Sequence, residues 1–132
     1  MLNRLDHVNL RTAHLADMIR WYEDVLGMTN GDRPPFPFGG AWLYAGEHAV
    51  VHLVEHRTQP EAREPAIEHF AITASGLDEF LNHIEQRGVE YQCAVVPGFE
   101  IIQVNIHDPD GNHIHIDFDP SEHKALANRG LA

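Results

Sequence analysis

Apolar positions along this chain switch between a period of two and a period of three to four, and the switches mark its elements. Leu5 to Leu10 alternates, with Asp6, Val8 and Leu10 on one side and Leu5, His7 and Asn9 on the other, which predicts a strand. From His14 to Leu26 the apolar residues Leu15, Met18, Ile19, Tyr22, Val25 and Leu26 make one helical stripe, flanked by Trp21. Gly27 stands just past it, where a helix C-terminus favours glycine. Asn30 to Gly40 holds three prolines and three glycines, which exclude a helix or a central strand. Ala41 to Ala45 and His48 to Glu55 then read as strands joined at Gly46, and His56 to Pro65 reads as a polar linker broken by Pro60 and Pro65.

The pattern then returns. Glu68 to Ala74 alternates, with His69, Ala71 and Thr73 on one face and Phe70, Ile72 and Ala74 on the other. Ser75 and Asp78 have the spacing of a helix N-terminal cap, Leu77, Phe80, Leu81 and Ile84 form the next stripe, and Gly88 ends it. Val89 to Val96, Ile101 to His107 and Asn112 to Phe118 read as strands. Asp108-Pro109-Asp110-Gly111 is a turn in which Pro fixes φ, Asp bonds its own backbone and Gly supplies a positive φ. In the strand after it, His113, His115 and Asp117 share one face, and Ile114, Ile116 and Phe118 the other. Residues 119–132 are polar and Ala-containing, a short helix or a loose tail.

The chain is thus two copies of strand–helix–strand–strand–strand, and the repeat orders the histidines. His7 lies 20 residues before Gly27 and 45 before His52; His69 lies 19 before Gly88 and 46 before His115. Matching units place matching positions on the same face of their sheets. One histidine at such a place is unremarkable in a His-rich chain, whereas four at near-identical offsets point to a shared task. Imidazole suits Zn, Ni, Co, Cu and Fe far better than Mg or Ca. Four such ligands on a six-coordinate ion leave two positions open for a chelating substrate, while a tetrahedral four-His site is closed and structural.

Composition narrows the partners. The 132 residues suit one domain with its own core, 43% of them are apolar, and histidine, at 11, outnumbers the nine Lys plus Arg. A net charge of −11 repels phosphate backbones, which argues against a nucleic-acid partner. The N-terminal residues show no apolar signal region, no stretch has the length of a membrane span, and Cys93 has no second cysteine to pair with; the expectation is a cytoplasmic protein.

Four stretches together resemble the vicinal oxygen chelate superfamily, which includes glyoxalase I, extradiol dioxygenases, and fosfomycin- and bleomycin-resistance proteins. They are Leu5-Asp6-His7-Val8-Asn9-Leu10, Trp21-Tyr22-Glu23-Asp24-Val25-Leu26-Gly27-Met28, Glu68-His69-Phe70-Ala71-Ile72, and Asp108-Pro109-Asp110-Gly111-Asn112-His113-Ile114-His115. The resemblance implies an α+β fold: two repeated βαβββ modules forming curved mixed sheets around a central metal cavity, with helices outside. The single domain, 1–132, divides into module 1 at about 3–56, a linker at 57–65, module 2 at about 66–118 and a tail at 119–132. The resemblance also implies one divalent transition metal per site (Zn, Ni, Co, Fe or Mn) on His7, His52, His69 and His115, and a small-molecule substrate. It implies a homodimer with sites shared between subunits, His7 and His52 from one and His69 and His115 from the other.

This chain departs from the family at the position of His115, where relatives usually carry a Glu that in glyoxalase I is both ligand and implicated base. The position of His52 is often Glu there as well. An all-imidazole set leaves a more Lewis-acidic metal and removes the expected carboxylate. The catalytic candidates are then His115, a base only if not firmly ligated, and Asp117, either a base or partner of a histidine or else a strand-end surface acid. Pocket candidates are Asn9, Gln103, Asn105 and His113, the last lining the pocket or standing at its rim, with Phe36 and Phe38 as either a pocket wall or a cap on the core. The leading expectation is a metal-dependent glyoxalase-like lyase or isomerase. An extradiol-type Fe(II) dioxygenase and a metal-independent antibiotic-sequestering protein are the alternatives. Arg11, Arg20 and Arg33 are the cations available to an anionic substrate such as a glutathione thioester.

Overall fold

A computed structural model describes residues 1–61 and 63–131. Contacts divide the chain into two compact units, Met1–Pro65 and Ala66 onward. Each is a four-stranded mixed sheet with a helix, so the fold is α+β with two repeated modules. The first unit runs β1 (Val8–Thr12), α1 (Leu15–Asp24), β2 (Thr29–Gly31), β3 (Gly40–Ala45) and β4 (His48–Glu55), and its sheet has the order β1-β4-β3-β2. The second runs β5 (His69–Thr73), α2 (Leu77–Gln86), β6 (Gln92–Val95), β7 (Ile102–His107) and β8 (His113–Phe118), in the order β5-β8-β7-β6. In both, the first strand pairs parallel with the last and the others pair antiparallel. Among the described residues no helix is long and apolar enough to cross a membrane.

The two-sided strands explain each core. In the first unit Leu43, Val51 and Leu53 point to one face of the sheet and are buried with Met18 and Tyr22 of α1. In the second, Ile102, Val104, Ile106, Ile114, Ile116 and Phe118 are buried, and the Phe118 ring lies 5.6 Å from Phe80 of α2. The Gly27 prediction fits: its φ is +66°, and the Met28 amide reaches back to the Tyr22 carbonyl at 3.0 Å.

Three details differ from the sequence pattern. The first strand starts at Val8, not Leu5, and Leu5 is exposed. The break at Asn30 to Gly40 contains the end of an edge strand, since Asn30 pairs with Leu43 and Gly31 with Trp42. Gly31 is required there because the Tyr44 ring occupies the space a Cβ would fill. Ser75 does not cap α2. The Gly76 and Leu77 amides donate instead to the carboxylate of Glu122, at 3.1 and 2.7 Å, so the cap comes from the chain's last segment. That segment is a 3-10 turn, Pro120–Glu122, followed by α3, His123–Asn128, with Leu126 fully buried.

Gly40 carries a separate consequence. A Cβ there would overlap the Leu53 carbonyl oxygen, which is backbone and cannot swing aside. Gly40→Ala is expected to destabilise the protein by about 1–3 kcal/mol, as overpacking does, read as a lower denaturation midpoint; an unchanged midpoint would show that β3 and β4 separate freely.

Candidate metal centre

The Asp108–Gly111 turn sets β8 in place. Asp108 is buried, and its Oδ1 accepts from the Asp110 and Asn112 amides at 3.0 and 2.9 Å while Oδ2 accepts from the Asn112 side chain at 2.8 Å. Gly111 takes φ +86°. From this turn β8 runs parallel to β5, with His113 opposite His69 and His115 opposite Ala71. Because Ile114, Ile116 and Phe118 fill the core side, His113, His115 and Asp117 share the other face with His69. Across β7, Gln103 faces Asp117, Asn105 faces His115 and His107 faces His113.

On that face the rings assemble. His69 stacks on His115 with centroids 3.9 Å apart and planes 13° apart. One ligand nitrogen from each of His69, His113 and His115 lies within 4.8 Å of the others. Glu68 binds two of these rings: one carboxylate oxygen accepts from His69 Nδ1, the other from His113 Nδ1 at 2.9 Å. His113 Nε2 meets Asn105 Oδ1 at 2.9 Å, and the Asn105 amide is oriented by donating to the Gln92 carbonyl at 3.2 Å. Both His113 nitrogens are therefore engaged. The two hydrogen bonds, first from His69 and then from His113, hold the Glu68 carboxyl below its ordinary range.

Burial is the largest influence on the His115 imidazole. The residue is 8% exposed, and burial, followed by repulsion from His69 and His113, pushes its imidazole below the usual value. Its Nδ1 is buried with no protein partner. Asp117 Oδ1 is orphaned in the same way, and burial raises that carboxyl against the opposing pull of His115 and His69. Asp117 is half-buried, not a fully solvated acid at a strand end.

The first unit repeats the arrangement with one ring fewer. His7 precedes β1, and His52 of β4 lies opposite Asn9 of β1 and opposite Trp42 of β3. His7 stacks on His52 at 3.7 Å and Trp42 stacks on His52 at 4.1 Å. Asp6 Oδ2 accepts from His7 Nδ1 at 2.8 Å. His52 Nε2 donates to the Ala49 carbonyl at 3.0 Å, which leaves the Nδ1 lone pair uncommitted. Burial, and then His7, lowers the His52 pKa. Phe36 and Phe38 do not cap the core. They are 42% and 46% exposed, stack on each other at 5.0 Å, and lie 5.1 and 5.3 Å beneath the Arg33 guanidinium, which also donates to the Phe38 carbonyl. Asn9 is exposed on the strand.

A cleft of about 730 Å³ opens in the second unit along the same sheet end, lined by Glu68, Tyr91, Gln92, Asn105, His107 and His113 among others. Asn105 and His113 line it; Gln103 lies further along the sheet.

These residues fit a divalent transition metal. Each unit presents a stacked imidazole pair at the predicted positions, and burial shifts His52 and His115 toward the neutral form that offers a lone pair. His115 Nδ1 is a buried polar atom of the kind that costs free energy unless something bonds it. The sequence pattern missed Asp6, Glu68 and Trp42 as parts of the site. For the two acids a signal was present, an acidic residue directly before the first histidine of each repeat.

Comparison with known proteins gives consistent relatives. The family model described as Glyoxalase/Bleomycin resistance protein/Dioxygenase superfamily matches residues 4–116. "Glyoxylase I 4" of Arabidopsis thaliana is 29% identical over 123 residues, covering 87% of this chain and 70% of that protein. "Virulence protein STM3117" of Salmonella typhimurium is 28% identical over 127 residues, covering 88% and 84%. Among solved structures, a glyoxalase family protein from Bacillus anthracis superimposes with a TM-score of 0.76 at 21% identity, covering 90% of this chain and 97% of that one, a likeness of fold.

Proposed function

This chain belongs to the Glyoxalase/Bleomycin resistance protein/Dioxygenase superfamily, and on that premise we propose that it is a metal-dependent lyase or isomerase acting on a small substrate with adjacent oxygens. The observation that carries the reading is the pair of stacked histidines at the same place in each repeat, His7 on His52 and His69 on His115. These residues would hold one divalent ion per site, His7 and His52 from one chain and His69 and His115 from a second chain of a homodimer. When bound, the ion supplies Lewis-acid polarisation of the substrate oxygens.

The remaining steps belong to the chain. Asp117 takes the role of proton acceptor that the missing family Glu leaves open: it is the carboxylate on the same strand face as His115, two residues along. Asn105 and His113 line the cleft; with both His113 nitrogens bonded, His113 holds the Asn105 amide, which orients polar substrate atoms, and Gln103 stands on the same face. Of the arginines raised for an anionic substrate, Arg20 is paired with Asp17 and Arg33 is held by the Phe38 carbonyl, which leaves Arg11, exposed on β1. That supply, in a chain of net charge −11, favours a substrate smaller and less anionic than a glutathione adduct.

The metal identifies the reaction class. Protein purified without added metal is expected to carry about one equivalent of Zn or Ni per chain, the content of a one-ion site. Iron together with ring cleavage of a catechol would replace the lyase reading by a dioxygenase. No metal after reconstitution with Zn, Ni, Co, Fe or Mn would leave a sequestering protein.

A further inference from the structure

The histidine preceding or opening the first strand of each unit has an acid directly before it, and both acids bond the same ring atom. Asp6 Oδ2 accepts from His7 Nδ1 at 2.8 Å, and a Glu68 oxygen accepts from His69 Nδ1. A neutral imidazole has one donor and one acceptor nitrogen. Fixing the proton on Nδ1 leaves the Nε2 lone pair for another partner. From this juxtaposition we infer that Asp6 and Glu68 are matched positioning residues, which hold His7 and His69 in the Nδ1–H tautomer and in the ring orientation that stacks on His52 and His115. Glu68 does this twice over, because its second oxygen bonds His113 Nδ1 at 2.9 Å. It thereby ties His113 beside His69 and uses a His113 nitrogen that would otherwise compete for the ion.

The inference rests on the metal-site reading for its purpose but not for its test. Asp6 and Glu68 are exposed, so their removal leaves the core intact. A carboxylate behind a metal-bound histidine fixes its tautomer and is typically worth roughly 10–100-fold in metal affinity. Three variants separate the possibilities: Asp6→Ala, Glu68→Ala and Glu68→Asp. The last gives the second unit the residue type the first unit uses.

Imidazole nitrogen NMR on metal-free protein is the first readout. Wild type should show His7 and His69 as Nδ1–H. Asp6→Ala should move His7 toward the Nε2–H form and leave His69 unchanged, and Glu68→Ala should move His69, free His113 Nδ1 and leave His7 unchanged, with folding checked by circular dichroism. Glu68→Asp should restore the His69 tautomer while losing the bond to His113. The second readout is Zn²⁺ affinity by chelator competition, expected to fall roughly 10–100-fold in each Ala variant and to recover in Glu68→Asp. Unchanged tautomers in both Ala variants overturn the inference, as do changed tautomers with unchanged Zn²⁺ affinity. A wild type that binds no Zn²⁺ would sink the metal-site reading instead, while the spectra would still decide whether the acids set the tautomers.

Discussion

His69→Ala is expected to yield a folded protein that no longer retains its metal. The His69 side chain is 39% exposed and contributes nothing to the core, so thermal melting of the metal-free form should match wild type. What the substitution removes is the ring stacked on His115 and the partner of one Glu68 oxygen. Loss of a ligand should weaken Zn²⁺ binding by more than the roughly 10–100-fold that an outer partner is worth, and the ion should be lost on dialysis against a chelator. His107→Ala is the control: it also sits in the imidazole cluster, stacked on His113 at 5.0 Å, but outside the proposed ligand set, and should keep its metal. A His69→Ala protein that retains a full equivalent would dismiss the four-histidine set. Loss of metal from His107→Ala but not His69→Ala would shift the site onto His107 and His113.

The reach of the sequence follows from what fixes each feature. The sheet faces were legible because strand period is two and each β-strand has one apolar side: Ile114, Ile116 and Phe118 inward force His113, His115 and Asp117 outward. The partnership of His69 with His115 was legible only as an offset between repeats, and the stacking of their rings was not, since parallel pairing of β5 with β8 joins residues far apart in the chain. The second strand of the first unit was not legible. Thr29–Gly31 has no apolar alternation and holds its place through edge pairing with β3 and the Tyr44 ring over Gly31. Nor was the Asn105–His113–Glu68 network, because side-chain hydrogen bonds leave no periodic trace. The cap of α2 failed for a related reason. Ser75 has the local spacing, but a carboxylate from Glu122, 46 residues on, reaches the same amides.

That long-range cap makes the last segment part of the second unit's fold, and Leu126→Ala is expected to be among the most destabilising single changes outside the sheets. Leu126 is fully buried and α3 packs against α2. Truncating a buried leucine to alanine costs about 2–5 kcal/mol, depending on how far the neighbours collapse into the space. Glu122→Ala removes the acceptor for two helix amides that have no intrahelical partner, at a cost typical of a lost cap, about 0.5–2 kcal/mol. Arg129 bonds Asp78 and Glu85 at 3.1 and 2.7 Å, but both partners are solvated, so Arg129→Ala should matter least. The order of denaturation midpoints should therefore be wild type, Arg129→Ala, Glu122→Ala and Leu126→Ala, from highest to lowest. Hydrogen exchange in Leu126→Ala should accelerate first at the α2 amides, since that variant unseats the segment carrying their cap. If Leu126→Ala unfolds at the wild-type midpoint, the segment is an appendage, and α2 must draw its stability from Leu77, Leu81 and Ile84 against the sheet alone.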